Sequence, residues 1–229
     1  RDYKSEASRL QDTITPVISW DGADIEKFAQ ESSALLPAKK LRPYQEQALL
    51  AIKGDLEEHQ RSLLFLATGL GKTVVAGAVI RDFIQKNPTA RILVLAHMVY
   101  LIDQLERALW GDIPLKLVSQ QVIGGSDFVD APGLTVASNL SIEHYLDDGY
   151  FPDLVVIDEC HHVGGDNAYS RIFERFASVP VLGVTATPWR GDGFSIQSSF
   201  GMPSFTCGIE EGMKEGYLSP VDYHLLDRK

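Results

Sequence analysis

A glycine-rich loop between an apolar run and a helix-forming run constrains the fold of this 229-residue chain more than any other feature. Residues 62–68 have the composition of a buried strand, and residues 67–73 read ATGLGKT before the helix-prone sequence VVA. Glycines let the backbone of such a loop turn successive N–H groups inward, at the positive end of the following helix. The pattern predicts a phosphate-binding loop, because a turn that only joins strand to helix would not need Gly-Lys-Thr in this context.

The side chains of the loop indicate what it binds. Lys72 carries a positive charge that can reach the β- and γ-phosphates of a nucleotide, and Thr73 offers a hydroxyl oxygen suited to a partly hydrated Mg²⁺ ion. Together they predict a nucleoside triphosphate with Mg²⁺. The loop residues that we expect to contact the nucleotide are Thr68, Gly69, Leu70, Gly71, Lys72 and Thr73.

Short β-branched or leucine-rich runs alternate with helix-length periodic runs from Leu41 onward. This alternation predicts an α/β domain with a mostly parallel central sheet that is covered by helices on both faces. The expected strands are 62–68, 91–96, 116–123, 134–138, 153–158 and 180–185. The expected helices are 44–60, 72–85, 99–109, 140–146 and 168–177, with an amphipathic helix at 24–36 and, in the tail, a short helix that stops at Gly216 and an edge strand at 221–225.

Two adjacent carboxylates, Asp158 and Glu159, follow the apolar run 154–157. Ligands of parallel sheets bind at the carboxyl ends of the strands. There Asp158 would hold Mg²⁺ through its water shell, and Glu159 would orient or deprotonate an attacking water. A solvated helix cap is the alternative, but the lysine loop upstream favours catalysis. A metal pair of His161 and His162 lacks a third ligand, so His161 is better explained as a sensor of the γ-phosphate.

With these two motifs the sequence resembles the superfamily two helicases and translocases, and its acidic motif has the DECH form of the DEAD/DEAH box. The resemblance extends from about Leu41 to the end of the chain. It is nearest to the restriction-subunit helicases of types I and III and to repair-type helicases. It implies a RecA-like three-layer αβα sandwich of the P-loop NTPase class, with ATP and Mg²⁺ as cofactors. Leu66 stands where the general loop pattern has glycine, a position that helicase-like versions relax.

The resemblance also implies a division into domains. Residues 1–40 would be a lead-in segment, 41–210 the first RecA-like domain, and 211–229 a crossover segment towards a second RecA-like domain. The family's later motifs, including an arginine finger, do not appear after Thr187. We therefore expect the fragment by itself to be a poor ATPase.

Two further family motifs accompany the nucleotide motifs. Residues 41–45 resemble the Q motif, which implies an adenine contact by Gln45, because a glutamine amide can both donate and accept hydrogen bonds. Arg42 of the same motif is a further expected nucleotide-binding residue. Residues 185–188 read TATP and resemble motif III, which implies that Thr185 and Thr187 couple the nucleotide site to nucleic-acid binding. A threonine-rich strand end with a proline stop is the plainer alternative for this second motif.

The nucleic-acid motifs of the family are present in an altered form. By resemblance, the expected nucleic-acid contacts are His97, Gly124, Gly125, Ser138 and Ser141. Met98 and Tyr100 stand where related restriction and repair translocases usually have arginine and glutamate, and Leu140 replaces a polar residue. Glycines and serines of this kind are also typical of turns and helix caps, so both interpretations stay open.

Taken together, the motifs imply an ATP hydrolase that couples hydrolysis to movement on nucleic acid, as a helicase or double-stranded DNA translocase in restriction, repair or defence. DNA is favoured over RNA as the partner, and a nuclease or methyltransferase domain or subunit is a further candidate. An RNA helicase or duplex-RNA sensor is one alternative, and an ATP-dependent conformational switch without helicase activity is another. An AAA-type machine acting on proteins would share the loop and the acidic strand end but not the combined set of Gln45, His161 and the Thr185-Ala186-Thr187 sequence.

Composition limits the remaining classes. With 21 Lys and Arg against 31 Asp and Glu, the net charge is −10, which gives no sequence-independent attraction to nucleic acid. Cys160 and Cys207 lack the paired spacing of a zinc site or a disulfide framework, which favours a reducing, cytoplasmic setting. Apolar runs such as 92–96 are far shorter than the roughly 20 residues needed to cross a bilayer, so no membrane partner is expected.

Overall fold

The computed structural model describes residues 37–114, 117–124, 128–146, 149–163, 168–187 and 195–220. All of them belong to one compact unit, Leu35–Lys229. The helix expected at 24–36 and the edge strand expected at 221–225 lie outside these residues. No helix within the described ranges is long and apolar enough to span a membrane.

Seven strands form a sheet among the described residues of this unit. The strands are β1 (Arg61–Leu66), β2 (Arg91–Ala96), β3 (Val118–Val122), β4 (Gly133–Ser138), β5 (Leu154–Asp158), β6 (Val181–Thr185) and β7 (Phe205–Cys207). Their order is β3-β4-β2-β5-β6-β1-β7, and every neighbouring pair is parallel. The predicted α/β class with a parallel sheet is confirmed, and all six predicted strands are present. The short edge strand β7 was not predicted.

Helices cover both faces of the sheet. They are α1 (Pro43–His59), α2 (Lys72–Lys86), α3 (Val99–Leu109), α4 (Asn139–Leu146), α5 (Ala168–Arg175), α6 (Gln197–Phe200) and α7 (Ile209–Lys214). Buried residues of α1, α2 and α3 pack with Leu64 and Val94 on one face. Because successive strand residues point to opposite faces, Leu63 and Leu93 pack with α4, α5 and α6 on the other. The result is the three-layer αβα sandwich that the sequence predicts.

The order of the strands brings three segments to one edge of the sheet. Strand β6 lies between β5 and β1, so the ends of these three strands are neighbours. Because all three run in the same direction, the glycine-rich loop after β1, the acidic segment after β5 and Thr185 at the end of β6 meet at the same edge. Side chains from distant parts of the sequence can therefore act together there.

Gly133, at the start of β4, lies very close to the backbone of the neighbouring strand β3. Its φ is +138°, and a Cβ there would lie 2.0 Å from the backbone oxygen of Val118 in β3. We expect Gly133→Ala to lower the free energy of unfolding by on the order of 3 kcal/mol, because both its own backbone and β3 would have to move. Urea unfolding of the variant measures this loss.

Gly54, in the middle of α1, provides the matched control. A Cβ there would meet nothing within 4 Å. Because alanine is favoured over glycine in a helix by about 1 kcal/mol, Gly54→Ala should be neutral or stabilising in the same assay. Equal losses in the two variants would contradict the close approach of β3 to β4.

Candidate active site

The glycine-rich loop has left-handed backbone at both of its glycines. Gly69 has a φ of +88° and Gly71 a φ of +81°, values that other residues rarely adopt. Gly71 is also the N-cap of α2, a helix of 15 residues, and its carbonyl accepts a hydrogen bond from the Val74 N–H at 3.0 Å. The loop therefore lies at the positive end of a long helix, where an anion is favoured. Leu70 is fully buried, and its N–H donates to the Ala67 carbonyl oxygen at 3.1 Å, so it shapes the loop. Its contact with the nucleotide stays a prediction.

Two side chains of α1 hold the loop in place. The Tyr44 hydroxyl donates to the Leu70 carbonyl oxygen at 2.7 Å, and Gln45 Nε2 donates to the same oxygen at 3.0 Å. At the other end of the amide, Gln45 Oε1 accepts from the Arg42 backbone N–H at 2.9 Å. A Cβ at Gly71 would lie 2.6 Å from Gln45 Nε2. A side chain at position 71 would therefore displace the Gln45 amide from its hydrogen bond to the Leu70 carbonyl.

These bonds give Gln45 a structural role beside the adenine contact that the resemblance implies. Gln45 is only 5% exposed, and with its amide bonded at both ends it braces the loop against α1. Arg42 is exposed, and its guanidinium lies 5.7 Å from the centre of the Tyr217 ring. The adenine contact of Gln45 and the nucleotide contact of Arg42 stay predictions. Tyr44 was not among the expected site residues, although its place beside Gln45 in the motif was a signal for it.

The acidic end of β5 meets the loop across the end of β6. Lys72 Nζ lies 3.8 Å from Glu159 Oε1, and both side chains are largely shielded from solvent. Thr73 and Asp158 line the same small cavity, together with apolar side chains of α2, α3 and the central strands. The structure thus brings together four residues that the sequence assigns to one phosphate and magnesium site.

The electrostatics of Asp158 suit a cation ligand. Burial raises the pKa of its carboxyl to about 6, the negative charge of Glu159 adds to the rise, and the positive charge of Lys72 opposes it. An ionised Asp158 is therefore costly unless a further cation lies beside it. Within the described ranges, no group of three or more His, Cys, Asp or Glu side chains is arranged to hold a metal ion. An ion at Asp158 and Thr73 would need oxygen atoms from water or phosphate, which are the ligands that Mg²⁺ prefers.

A hydrogen-bonded network extends from Glu159 to the end of β6. Glu159 has a left-handed backbone with φ +49° and ψ +47°, and the 3-10 turn Cys160–His162 follows it. Its Oε2 lies 3.2 Å from His161 Nδ1 and 3.4 Å from Thr185 Oγ1, and those two atoms are 2.8 Å apart. The buried Thr185 hydroxyl also accepts from the Thr187 N–H at 3.0 Å. The network joins the acidic motif to the two threonines that the resemblance implies in coupling.

Two of the predicted nucleic-acid residues form a helix cap. Ser138 and Ser141 are buried, and Ser138 Oγ both donates to Ser141 Oγ at 2.7 Å and accepts from the Ser141 N–H at 3.1 Å. This is the geometry of an N-terminal cap on α4. Their hydroxyls are therefore engaged within the protein, and their contact with nucleic acid stays a prediction. Leu140, between them, is 66% exposed.

The other predicted nucleic-acid residues lie in different surroundings. Gly124 is in an exposed turn with open space around its Cα, and Gly125 lies outside the described residues. His97, directly after β2, stacks on His162, with ring centres 3.5 Å apart and ring planes within 10°. No spacing in the sequence predicted this contact, which joins two strand ends that are neighbours only in the folded sheet.

The parallel sheet, the glycine-rich loop at the start of α2 and the acidic end of β5 define a P-loop NTPase of the α/β class. A family model described as "Type III restriction enzyme, res subunit" matches residues 38–190. This match covers more than half of the chain, and the chain therefore belongs to that family. It is a RecA-like domain of the superfamily two helicase kind, as the motifs predict.

Two curated relatives and one solved structure illustrate the similarity. The "Type I restriction enzyme EcoAI endonuclease subunit" of Escherichia coli is 31% identical over 200 residues, which cover 82% of this chain and 24% of the relative. The "ATP-dependent RNA helicase DHX58" of Mus musculus is 28% identical over 185 residues, 70% of this chain and 26% of the relative. A nuclease-deletion mutant of the Type ISP restriction-modification enzyme LlaGI, in complex with a DNA substrate mimic, has the same fold, with a TM-score of 0.62 and 22% identity over 78% of this chain and 21% of that chain. The chain thus spans about a quarter of each of these proteins.

The raised pKa of Asp158 predicts a pH-dependent cost to stability. The ordinary pKa of this carboxyl is 3.8 and its pKa in the folded chain is about 6. The folded state therefore loses stability, relative to the unfolded state, as the pH rises between these values. We expect Asp158→Asn, without Mg²⁺ or nucleotide, to raise the free energy of unfolding at pH 7 by about 2 to 3 kcal/mol.

Urea unfolding at pH 4 and pH 7 measures this effect, and the advantage of Asp158→Asn should nearly vanish at the lower pH. Asp103→Asn is the matched control, because Asp103 is an exposed carboxylate whose pairing with Arg107 on α3 contributes little. An Asp158→Asn variant that is less stable than the wild type at pH 7 would contradict the claim that the ionised Asp158 carboxylate destabilises the folded chain.

Proposed function

We propose that this chain is the ATP-binding half of a nucleic-acid-dependent ATPase, a helicase or double-stranded DNA translocase of restriction, repair or defence. One observation carries the proposal: Lys72 Nζ at the end of the glycine-rich loop and Glu159 Oε1 after β5 lie 3.8 Å apart at one edge of the sheet. Membership of the type III restriction enzyme res subunit family supports the same activity.

ATP with Mg²⁺ fits the chemistry of this edge. The left-handed Gly71 and the N-terminus of α2 present backbone N–H groups to an anion, and Lys72 adds a full positive charge. Thr73 and Asp158 would hold Mg²⁺, which neutralises phosphate charge when it is bound. A phosphate bound there would pair with Lys72 in place of Glu159, whose carboxylate would then be available to orient the attacking water.

The network around Thr185 is suited to couple the nucleotide to the rest of the protein. His161 and Glu159 share the Thr185 hydroxyl, so a change at the γ-phosphate that moves either side chain also moves the end of β6. The Thr187 N–H is tied to the same hydroxyl. A change of nucleotide state can therefore pass along the backbone of 185–187 towards the nucleic-acid side.

DNA is the favoured nucleic acid. The similar Escherichia coli protein is a restriction endonuclease subunit, and the LlaGI structure contains a DNA substrate mimic. Similarity to the RNA helicase DHX58 supports the alternative of RNA. The net charge of −10 does not favour either nucleic acid. ATPase rates with duplex DNA, single-stranded DNA and duplex RNA should be compared at one salt concentration, because affinity for nucleic acid depends on salt.

The domain division that we propose keeps 1–40 as a lead-in, 41–210 as the first RecA-like domain and 211–229 as the crossover towards a second one. The start of the crossover packs on the phosphate loop: a Cβ at Gly69 would lie 3.1 Å from the Leu218 side chain. A change in the loop on nucleotide binding would therefore displace Leu218, in the segment that leads out of the domain. A second RecA-like domain, and a nuclease or methyltransferase domain or subunit, are the expected partners.

Glu159→Gln tests the role of the carboxylate, because it removes the charge and keeps the shape of the side chain. In the full-length protein we expect the variant to bind Mg·ATP and to have an ATPase kcat lower by on the order of 10² to 10⁴. An amide cannot accept the proton of the attacking water. Steady-state phosphate release at saturating nucleic acid measures the effect.

Glu57→Gln is the matched control, because Glu57 pairs with Lys86 on the exposed side of α1 and α2. Its kcat should equal that of the wild type. Full turnover in Glu159→Gln would mean that another group orients the water. A wild-type protein that binds ATP but never hydrolyses it would favour the conformational switch.

The 229-residue fragment should bind Mg·ATP weakly and show little nucleic-acid-stimulated ATPase. In the family the arginine finger comes from the second domain, and such a group is worth on the order of 10³ to 10⁵ in rate in P-loop enzymes. Phosphate-release assays of the fragment and the full-length protein, side by side, measure the difference. Robust stimulated turnover by the fragment would contradict the division of the site between two domains.

A further inference from the structure

Three histidine rings contact one another in a row at the carboxyl edge of the sheet. The His97 and His162 rings are stacked, with centres 3.5 Å apart and nearly parallel planes. The His161 ring centre is 4.1 Å from that of His162, and these two ring planes are tilted by 40°. His161 Nδ1 in turn lies 2.8 Å from Thr185 Oγ1 and 3.2 Å from Glu159 Oε2. Direct contacts therefore link the residue after β2 to the carboxylate that we expect to orient the attacking water.

Strand pairing explains why these rings meet. Strands β2 and β5 are neighbours, with Leu95 opposite Ile157, so the chain leaves both strands side by side. The left-handed backbone of Glu159 then turns the chain sharply, which buries Cys160 and leaves both following histidines at the rim. A non-glycine residue keeps such a conformation only where surrounding contacts hold it, and the Glu159 side chain contacts Lys72, His161 and Thr185.

We propose that His162 is a positioning residue that couples nucleic-acid binding near His97 to the alignment of Glu159. This inference rests on the proposed function. Nucleic acid that shifts the His97 ring would shift the His162 ring packed on it, and the 3-10 turn that begins at Cys160 would follow, because close-packed groups transmit displacement.

The inference requires a flat ring at position 162 and does not require a titratable one. In the full-length protein we expect His162→Ala to lower the kcat at saturating DNA about tenfold and to leave the Kd for Mg·ATP unchanged, because a misaligned catalytic group costs rate rather than nucleotide affinity. His162→Phe keeps an aromatic ring that can stack, so it should retain most of the wild-type kcat. A purely structural role would lower nucleotide affinity and rate together.

His59→Ala is the matched control. His59 ends α1, just before β1 begins, and therefore lies at the opposite edge of the sheet. It is not in contact with the stack, and its replacement should change neither the kcat nor the Kd for Mg·ATP.

A double-mutant cycle tests whether the effect passes through the stack. If His162 acts through His97, the double variant His97→Ala, His162→Ala should have the same DNA-stimulated kcat as the less active of the two single variants. The inference would be overturned by a double variant whose loss of kcat is the product of the two single losses. An unchanged kcat in His162→Ala, or a His162→Phe variant as impaired as His162→Ala, would also overturn it. A wild-type ATPase that no nucleic acid stimulates would instead overturn the proposed function.

Discussion

The ion pair of Lys72 and Glu159 depends on the parallel order of the whole sheet. Lys72 begins the helix after β1 and Glu159 follows β5, yet β6 separates these strands, so the 3.8 Å contact exists only because all three end at the same edge. Each charge lies in a partly shielded place where an unpaired charge would be costly. The pair therefore stabilises the arrangement of the loop and keeps both groups beside the position where phosphate would bind.

Several features that cost stability lie at this same edge. Asp158 has a raised pKa, Glu159 has left-handed backbone, and Gly71 leaves no room for a side chain beside Gln45. The sheet beneath them is apolar and closely packed on both faces. Strain of this kind is typical of functional sites, which a stable scaffold can maintain. Binding of a cation and an anion at this edge would relieve part of it.

Local sequence patterns predicted the long buried strands, the glycine-rich loop and the acidic pair, because each depends on the types of neighbouring residues. Strand β2 is apolar from Ile92 to Ala96 because these residues are buried on both faces of the sheet. Strand β7 has only three residues and an exposed Thr206, and only its pairing with β1 makes it a strand. The loop and the acidic pair could be predicted because their chemistry is specified by residue type at strand ends. The bracing of the loop by Gln45 and the stack of His97 on His162 arise from tertiary packing, which no spacing in the sequence encodes.

Calorimetric titration of Mg·ATP into the full-length protein and its Lys72→Ala variant tests the shared phosphate site most directly. We expect one saturable site in the wild type and a Kd at least about tenfold weaker in the variant, which corresponds to a loss of about 1.4 kcal/mol. No binding to the wild type, or equal Kd values for the two proteins, would contradict a nucleotide site between the loop and the acidic end of β5.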